Sequence, residues 1–393
     1  MALALVFALP ATAQTPLPTQ PGAAPAPLTD EEQALLASRR LWWKSPGHAL
    51  DVAGLSPLER VAGRKARPLP RAEGGITPEA VSAALAYVDR ARTQSLLIWY
   101  KGALRVEHYG AGFDATSRSA PASMPKPVLA LAVGAAVARG RMHLTDPISR
   151  WLPEWRTDPR GRITVRELLQ MRSGLTKYGG ASGGGPGEQL MLGTRLSDLV
   201  LATPLAGEQG VRFDYNNVDN ALLALVLQRA TATRYARWLS DTIWRPIGAS
   251  DAQLWLDRPD GMARTFCCLL ATARDWIRVG LLIKDRGRAE GKQVLPVSWI
   301  DAMIAPSPAN PNYGFQIWRA SPYAPLRSYG SGAAPPAPAA NPFLAEDIVY
   351  FDGAVGQRVY ISPSHDLVIV RIGDSIADWD DSVLPNIIVT GLR

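Results

Sequence analysis

Ser123 and Lys126 stand three residues apart in the stretch Ser-Met-Pro-Lys-Pro-Val-Leu-Ala. A serine hydroxyl attacks a carbonyl only when a base takes its proton. A lysine serves as that base once burial in an apolar surrounding lowers its pKa. Residues three apart share one helix face. Pro125 and Pro127 suit a first helical turn, where the missing N–H has no partner to lose. Val128, Leu129, Leu131, Val133 and Val137 then fall on every face, which predicts a buried helix beginning near Ser123. The positive end of such a helix favours an alkoxide or an oxyanion. The same residues would also suit a serine helix cap and a lysine reaching water. This is the only Ser-x-x-Lys in the chain.

A second constellation is Tyr215-x-Asn217, ahead of the apolar run Ala221–Leu227. A phenol there can relay protons, and an amide can hold both a lysine and a substrate carbonyl. Asparagine-rich turn chemistry is the plainer use of Phe213–Asn220. A competing serine lies in Gly180-Ala181-Ser182-Gly183-Gly184, which matches Gly-x-Ser-x-Gly. That motif needs a strand before it and a helix after it. Here Lys177-Tyr178-Gly179 precedes and Gly185-Pro186-Gly187 follows, so the run reads as a loop at the rim of a pocket.

The chain has 393 residues, 47% of them hydrophobic and 20% charged, which suits one large globular domain or two ordinary ones. The formal net charge is +7, carried mostly by scattered arginines. No basic stripe interleaved with aromatics appears, which argues against nucleic-acid binding. The four histidines, His48, His108, His143 and His365, are far apart, so no metal site is expected. The only two cysteines are the neighbours Cys267 and Cys268, read as two buried thiols. Ala2–Leu9 is a short apolar run, and Ala11-Thr12-Ala13 precedes Gln14 in the form of a signal-peptidase site. Residues 1–13 are therefore expected to be a signal peptide cleaved after Ala13, with export to the periplasm or the medium. The run is too short to cross a membrane.

The elements that must position these side chains follow from periodicity and punctuation. Residues 14–30 read as a Pro/Ala linker and 31–76 as a segment wrapping the main domain, with a short helix over Asp30–Arg39. Thr77-Pro78 opens a helix. Ser95–Tyr109 predicts a hairpin turning at Lys101-Gly102. Helical patterns dominate from about 140 to 285. Tyr313–Trp318, Ile348–Phe351, Gln357–Ser362 and Leu367–Ile372 read as strands, and Ser382–Leu392 as a last helix. The order predicts an α/β (α+β) fold, an antiparallel sheet built from both ends of the chain with a helical subdomain inserted.

From about Leu85 onward the chain resembles the serine β-lactamase and penicillin-binding-protein superfamily. The likeness is to its class C-like branch, with the β-lactamase-fold carboxylesterases and the 6-aminohexanoate-dimer hydrolases. Ser123-Met124-Pro125-Lys126 resembles the family's Ser-x-x-Lys, and Tyr215-Asn216-Asn217 its Tyr-x-Asn. Supporting pieces occur in order: Leu144-Thr145-Asp146-Pro147, Ser173-Gly174-Leu175, Pro246-Ile247-Gly248, and Gly356-Gln357 before a strand. The resemblance implies a β-lactamase/D,D-peptidase-like fold and a serine hydrolase domain over 77–393. It implies Ser123, Lys126 and Tyr215 as catalytic residues, a small-molecule ester or amide substrate, and no metal or organic cofactor. Asn217 would contact substrate, and Tyr178 would lie in a pocket loop. The family's third motif, Lys/His-Thr/Ser-Gly, is replaced by Phe351-Asp352-Gly353. Gly353 would still allow close backbone approach, and the N–H of Ala354 would join that of Ser123 in an oxyanion hole. Asp352 is expected to repel an anionic substrate, which weighs against a true β-lactamase or D,D-peptidase. A non-catalytic sensor module on the same fold is the remaining alternative.

Overall fold

The computed structural model describes residues 27–45, 50–65, 67–331, 337–374, 376 and 378–393. The expected signal peptide and residues 14–26 of the expected linker lie outside these.

Lys101 and Gly102 adopt left-handed backbone (φ 45° and 80°) and turn the strand Thr93–Tyr100 back into Ala103–Tyr109. A lone hairpin buries too little to persist in water. Its inner strand instead pairs antiparallel with Leu367–Gly373 from the far end of the chain, with Ile98 opposite Ile369. The six-stranded sheet continues through Gln357–Ser362, Val349–Gly353 and Trp318–Arg319. Alternate residues sort to opposite faces, as the two-residue period requires. Leu96, Ile98 and Tyr100 share a cluster with Ala80, Ala84, Leu384 and Ile388, from the helices Pro78–Val88 and Val383–Thr390. Leu97 and Trp99 belong to the larger core that contains the inserted helices. The helix Ala273–Lys284 packs against strands Thr93–Tyr100, Gln357–Ser362 and Leu367–Gly373 on that side.

At the heart of the larger core runs the helix Lys126–Ala138, buried from Lys126 to Ala136. Its apolar residues face every direction, so only full burial removes them from water. It packs against the helix Asn217–Thr231. Gly134 lets Trp299 lie on the helix backbone: a Cβ there would stand 2.2 Å from Trp299 Nε1.

Three expectations change. Tyr313–Trp318 is a turn rather than a strand, and only Trp318–Arg319 joins the sheet. Gln316 sits at φ 57°, and Gly314 N–H donates to Ile317 O at 2.8 Å. The Gln316 amide is spent on the Leu168 carbonyl (2.9 Å) and on Asn220 (2.8 Å), partners remote in sequence. The wrapping segment contributes an unforeseen strand, Leu58–Val61, to a second, four-stranded sheet beside Ala252–Trp255. Leu-Glu-Arg-Val carries one fully buried residue, too little for a period to register. Cys267 and Cys268 are joined to each other as a disulfide rather than being two thiols. The N–H groups of both turn back onto the Arg264 carbonyl (3.3 and 3.0 Å), which sets the two side chains side by side.

Overfilling a packed core costs about 1–3 kcal/mol. Gly134→Ala is therefore expected to lower the melting temperature, although alanine is the better helix former. A thermal melt that rises instead would contradict this packing.

Candidate active site

Ser123 occupies a tight turn immediately ahead of the helix that begins at Lys126. Met124 N–H donates to Pro121 O and Lys126 N–H to Ser123 O, each at 3.2 Å. Ala122 sits at φ 48°, left-handed backbone that a non-glycine residue adopts only when its surroundings compel it. The Ser123 side chain makes no capping bond to the helix, so the cap reading fails. Its Oγ lies 2.7 Å from Lys126 Nζ.

Lys126 is 1% exposed. Burial pulls its pKa from 10.5 down to about 7, against the upward pull of Asp352. Nζ donates to the Phe266 carbonyl at 2.9 Å and lies 4.7 Å from the centre of the Tyr215 ring.

Tyr215 stands just before the helix Asn217–Thr231, whose cap is Asn216: Val218 N–H donates to Asn216 Oδ1 at 3.0 Å. The Asn216 amide also donates to the carbonyls of Leu175 (3.2 Å) and Thr176 (3.3 Å), fastening this loop to the Ser173-Gly174-Leu175 turn. The Tyr215 ring stacks on Trp318 at 5.6 Å and meets Tyr329 edge-on at 5.2 Å. Burial first, and Asp352 second, push the phenol pKa above its usual value, while a hydrogen bond with Ser123 pulls the other way. Trp318, on the margin between pocket and core in sequence, is a fully buried platform for this tyrosine.

The strand Val349–Gly353 ends against the Ser123 turn. A Cβ on Gly353 would lie 2.3 Å from Pro121 O and 3.1 Å from Met124 Cγ. Ala354 follows at the start of a short 3₁₀ turn and is exposed. Among the described residues the N–H groups of Ser123 and Ala354 donate to nothing. Free main-chain donors are one requirement of an oxyanion hole.

Two assigned roles change. Asn217 does not hold Lys126: its amide nitrogen faces Met191 Sδ at 3.8 Å, and its Oδ1 is buried without a partner. The Phe266 carbonyl holds the lysine instead, and a main-chain oxygen carries no residue-type signature. Asp352 does not meet a substrate as a bare negative charge. It is 5% exposed and paired with Arg358 (2.7 Å) and Arg327 (3.1 Å), which also pair with Asp381 (2.8 and 3.1 Å). Tyr329 Oη donates to Asp352 Oδ2 at 2.5 Å. Arg327, Arg358, Tyr329 and Asp381 escaped sequence reading because their partners come from three separate segments. Tyr178 is half-buried and packs on the larger core. Its neighbour Lys177 pairs with Asp214 at 3.1 Å, next to Tyr215. Among the described residues no three His, Cys, Asp or Glu side chains gather as metal ligands, and no helix is long and apolar enough to cross a membrane.

A family model described as Beta-lactamase matches residues 83–372. The chain belongs to the beta-lactamase family. Within it, 225 residues are 26% identical to a 6-aminohexanoate-dimer hydrolase of Paenarthrobacter ureafaciens, covering 54% of this chain and 57% of that one. The esterase EstB of Burkholderia gladioli is 31% identical over 158 residues, 36% of this chain and 40% of its own. The chain thus spans about half the length of these curated relatives. A solved structure of a candidate 6-aminohexanoate-dimer hydrolase from Bacillus anthracis superposes with a TM-score of 0.69 at 20% identity, covering 86% of this chain and 89% of that one. That likeness establishes the beta-lactamase fold expected from the sequence.

Gly353→Ala is expected to push the strand end off the Ser123 turn, a loss of about 1–3 kcal/mol read as a lower melting temperature. Ala354→Gly, at an exposed position, should stay within about 0.5–1 kcal/mol of the parent. Equal melting temperatures for Gly353→Ala and the parent would refute the close approach.

Proposed function

We propose that this beta-lactamase family member is a serine hydrolase that cleaves an ester or amide through an acyl-enzyme. The single observation that carries the reading is the Lys126 amine, enclosed in the core 2.7 Å from Ser123 Oγ, where burial pulls its pKa down to about 7. A lysine so shifted is neutral near physiological pH and can take a proton. Tyr215 is driven the other way and stays protonated, so it suits a relay and Lys126 suits the base. The names of the hydrolase and esterase relatives support the same class.

In this mechanism Lys126 takes the Ser123 hydroxyl proton as Oγ bonds to the substrate carbonyl carbon. The carbonyl π electrons move to its oxygen, and the N–H groups of Ser123 and Ala354 stabilise the resulting anion. Collapse re-forms the carbonyl and breaks the bond to the leaving group, which takes the proton from the Lys126 ammonium through the Tyr215 phenol. Water then attacks the acyl-enzyme, its proton passing by the same route to Lys126, and Ser123 leaves as the hydroxyl. A penicillin-binding relative from Bacillus subtilis, 27% identical over 137 residues, favours a second reading in which the acyl donor is a β-lactam. Nitrocefin turnover would select that reading. Export is proposed on the pattern of residues 1–13, and a mature N-terminus at Gln14, seen by mass spectrometry of the exported protein, would bear it out.

Ser123→Ala and Lys126→Ala are each expected to lower p-nitrophenyl ester hydrolysis by roughly a thousandfold or more. Full activity in Ser123→Ala would falsify the assignment. A base must be unprotonated to act. The kcat/KM of the parent should therefore be level above a pH of about 7 and fall about tenfold per pH unit below it. A profile flat down to pH 5 would exclude Lys126 as the base.

A further inference from the structure

Behind Tyr215 runs the segment Arg327–Ser331, which none of the motifs above includes. Tyr329 is its centre. Its main-chain carbonyl accepts the Tyr215 N–H at 2.9 Å and the Lys177 ammonium at 3.0 Å. Its ring stands edge-on to both Tyr215 and Trp318, each at 5.2 Å. Its hydroxyl donates to Asp352 Oδ2 at 2.5 Å and accepts from Arg327 Nη2 at 2.8 Å. Asp352 lies one residue before Gly353 on the strand that ends at the Ser123 turn. One residue therefore links the strand that leads to the Ala354 N–H, through its hydroxyl, with Tyr215, through its ring edge and its main-chain carbonyl.

The Tyr329 hydroxyl touches no reacting atom, so it is neither acid nor base here. Burial holds its phenol well above the usual pKa, which keeps it a donor to Asp352. The Asp352 carboxylate is itself fixed by Arg358 and Arg327, so the far end of the span is rigid. Tyr215 has the Trp318 ring on one face and the Lys126 ammonium position on its ring. The Tyr329 ring edge and carbonyl, with the Tyr313 ring edge-on at 6.0 Å, hold it from further sides. Without the hydroxyl anchor the ring would be free to tilt, and Tyr215 with it.

We propose that Tyr329 is a positioning residue for Tyr215, a strut from Asp352 that sets the distance of the Tyr215 phenol from Ser123. The inference rests on the Ser–Lys–Tyr reading above. A displacement on the order of 1 Å in a catalytic group costs up to about a hundredfold in rate. Loss of one anchor, with ring and carbonyl retained, is expected to cost about tenfold.

Tyr329→Phe, Tyr215→Phe and the double variant test this on the full chain, with p-nitrophenyl butyrate turnover, fluorophosphonate labelling of Ser123 and thermal melts. Tyr329→Phe should lower kcat about tenfold with KM within about twofold, and slow the labelling to match. The double variant should be no slower than Tyr215→Phe alone, because a strut has no function once its phenol is gone. Lys126 is faced by Ser123, the Phe266 carbonyl and the Tyr215 ring, with Asp352 as the one carboxylate acting on it. Tyr329→Phe leaves all of these in place, so the acid limb of its pH profile should remain near 7. A limb displaced toward the ordinary lysine range would report a general loosening of the site and overturn the proposal. So would an unchanged kcat, or fully multiplicative effects in the double variant. A parent protein that takes no fluorophosphonate on Ser123 would instead overturn the nucleophile reading on which the strut depends.

Discussion

The structure depends on keeping one amine out of water. A fully buried ammonium costs several kcal/mol, and the group gives up its proton rather than bear that cost. Moving the Lys126 pKa from 10.5 to about 7 corresponds to on the order of 5 kcal/mol of net penalty on its charged form, burial outweighing the pull of Asp352. The protein sustains this by burying the amine at the start of a helix apolar on all sides, while the Phe266 carbonyl and the Tyr215 ring hold it in place. Opening this enclosure to water would favour the charged lysine and, on the proposed mechanism, deprive Ser123 of its base.

A second enclosed set of charges lies beneath the strand Val349–Gly353. Arg327 and Arg358 face Asp352 and Asp381, two positive groups against two negative ones. A buried ion pair is poor evidence of stability, since desolvation offsets attraction. Its clearer consequence is directional. The arginines fix both Asp352 oxygens, and the Tyr329 hydroxyl and the end of the strand are fixed with them. The upward pull of Asp352 on Lys126 does not overcome burial.

Much of this was legible along the chain. Thr77 caps its helix as Thr77-Pro78 predicts, and Gln357–Ser362 forms over the expected residues. Such signals are local, arising from a cap, a period or a turn residue within a few positions. Tyr313–Trp318 misled because its alternation of large apolar residues mimics a strand, while the Gln316 amide takes partners about 96 and 148 residues away. Asn217 could by its type hold both the lysine and a substrate carbonyl, yet its amide nitrogen faces Met191 Sδ, a neighbour remote in sequence. Phe266 was invisible because its carbonyl, not its side chain, does the holding.

The sequence by itself determined which groups can react: a serine and a lysine on one helical face, a tyrosine ahead of a buried helix, and a glycine where two backbones meet. Residue type and spacing carry that information, and no distant contact is needed to read it. Tertiary structure supplied the surroundings on which the proposed protonation states and roles rest. Whether Lys126 is a base depends on how completely other segments exclude water from it. Whether Asp352 is a charge offered to substrate or an anchor depends on Arg327, Arg358 and Tyr329 arriving from elsewhere in the chain. Electrostatic energies change with surroundings far more than with identity, and only the folded chain supplies the surroundings.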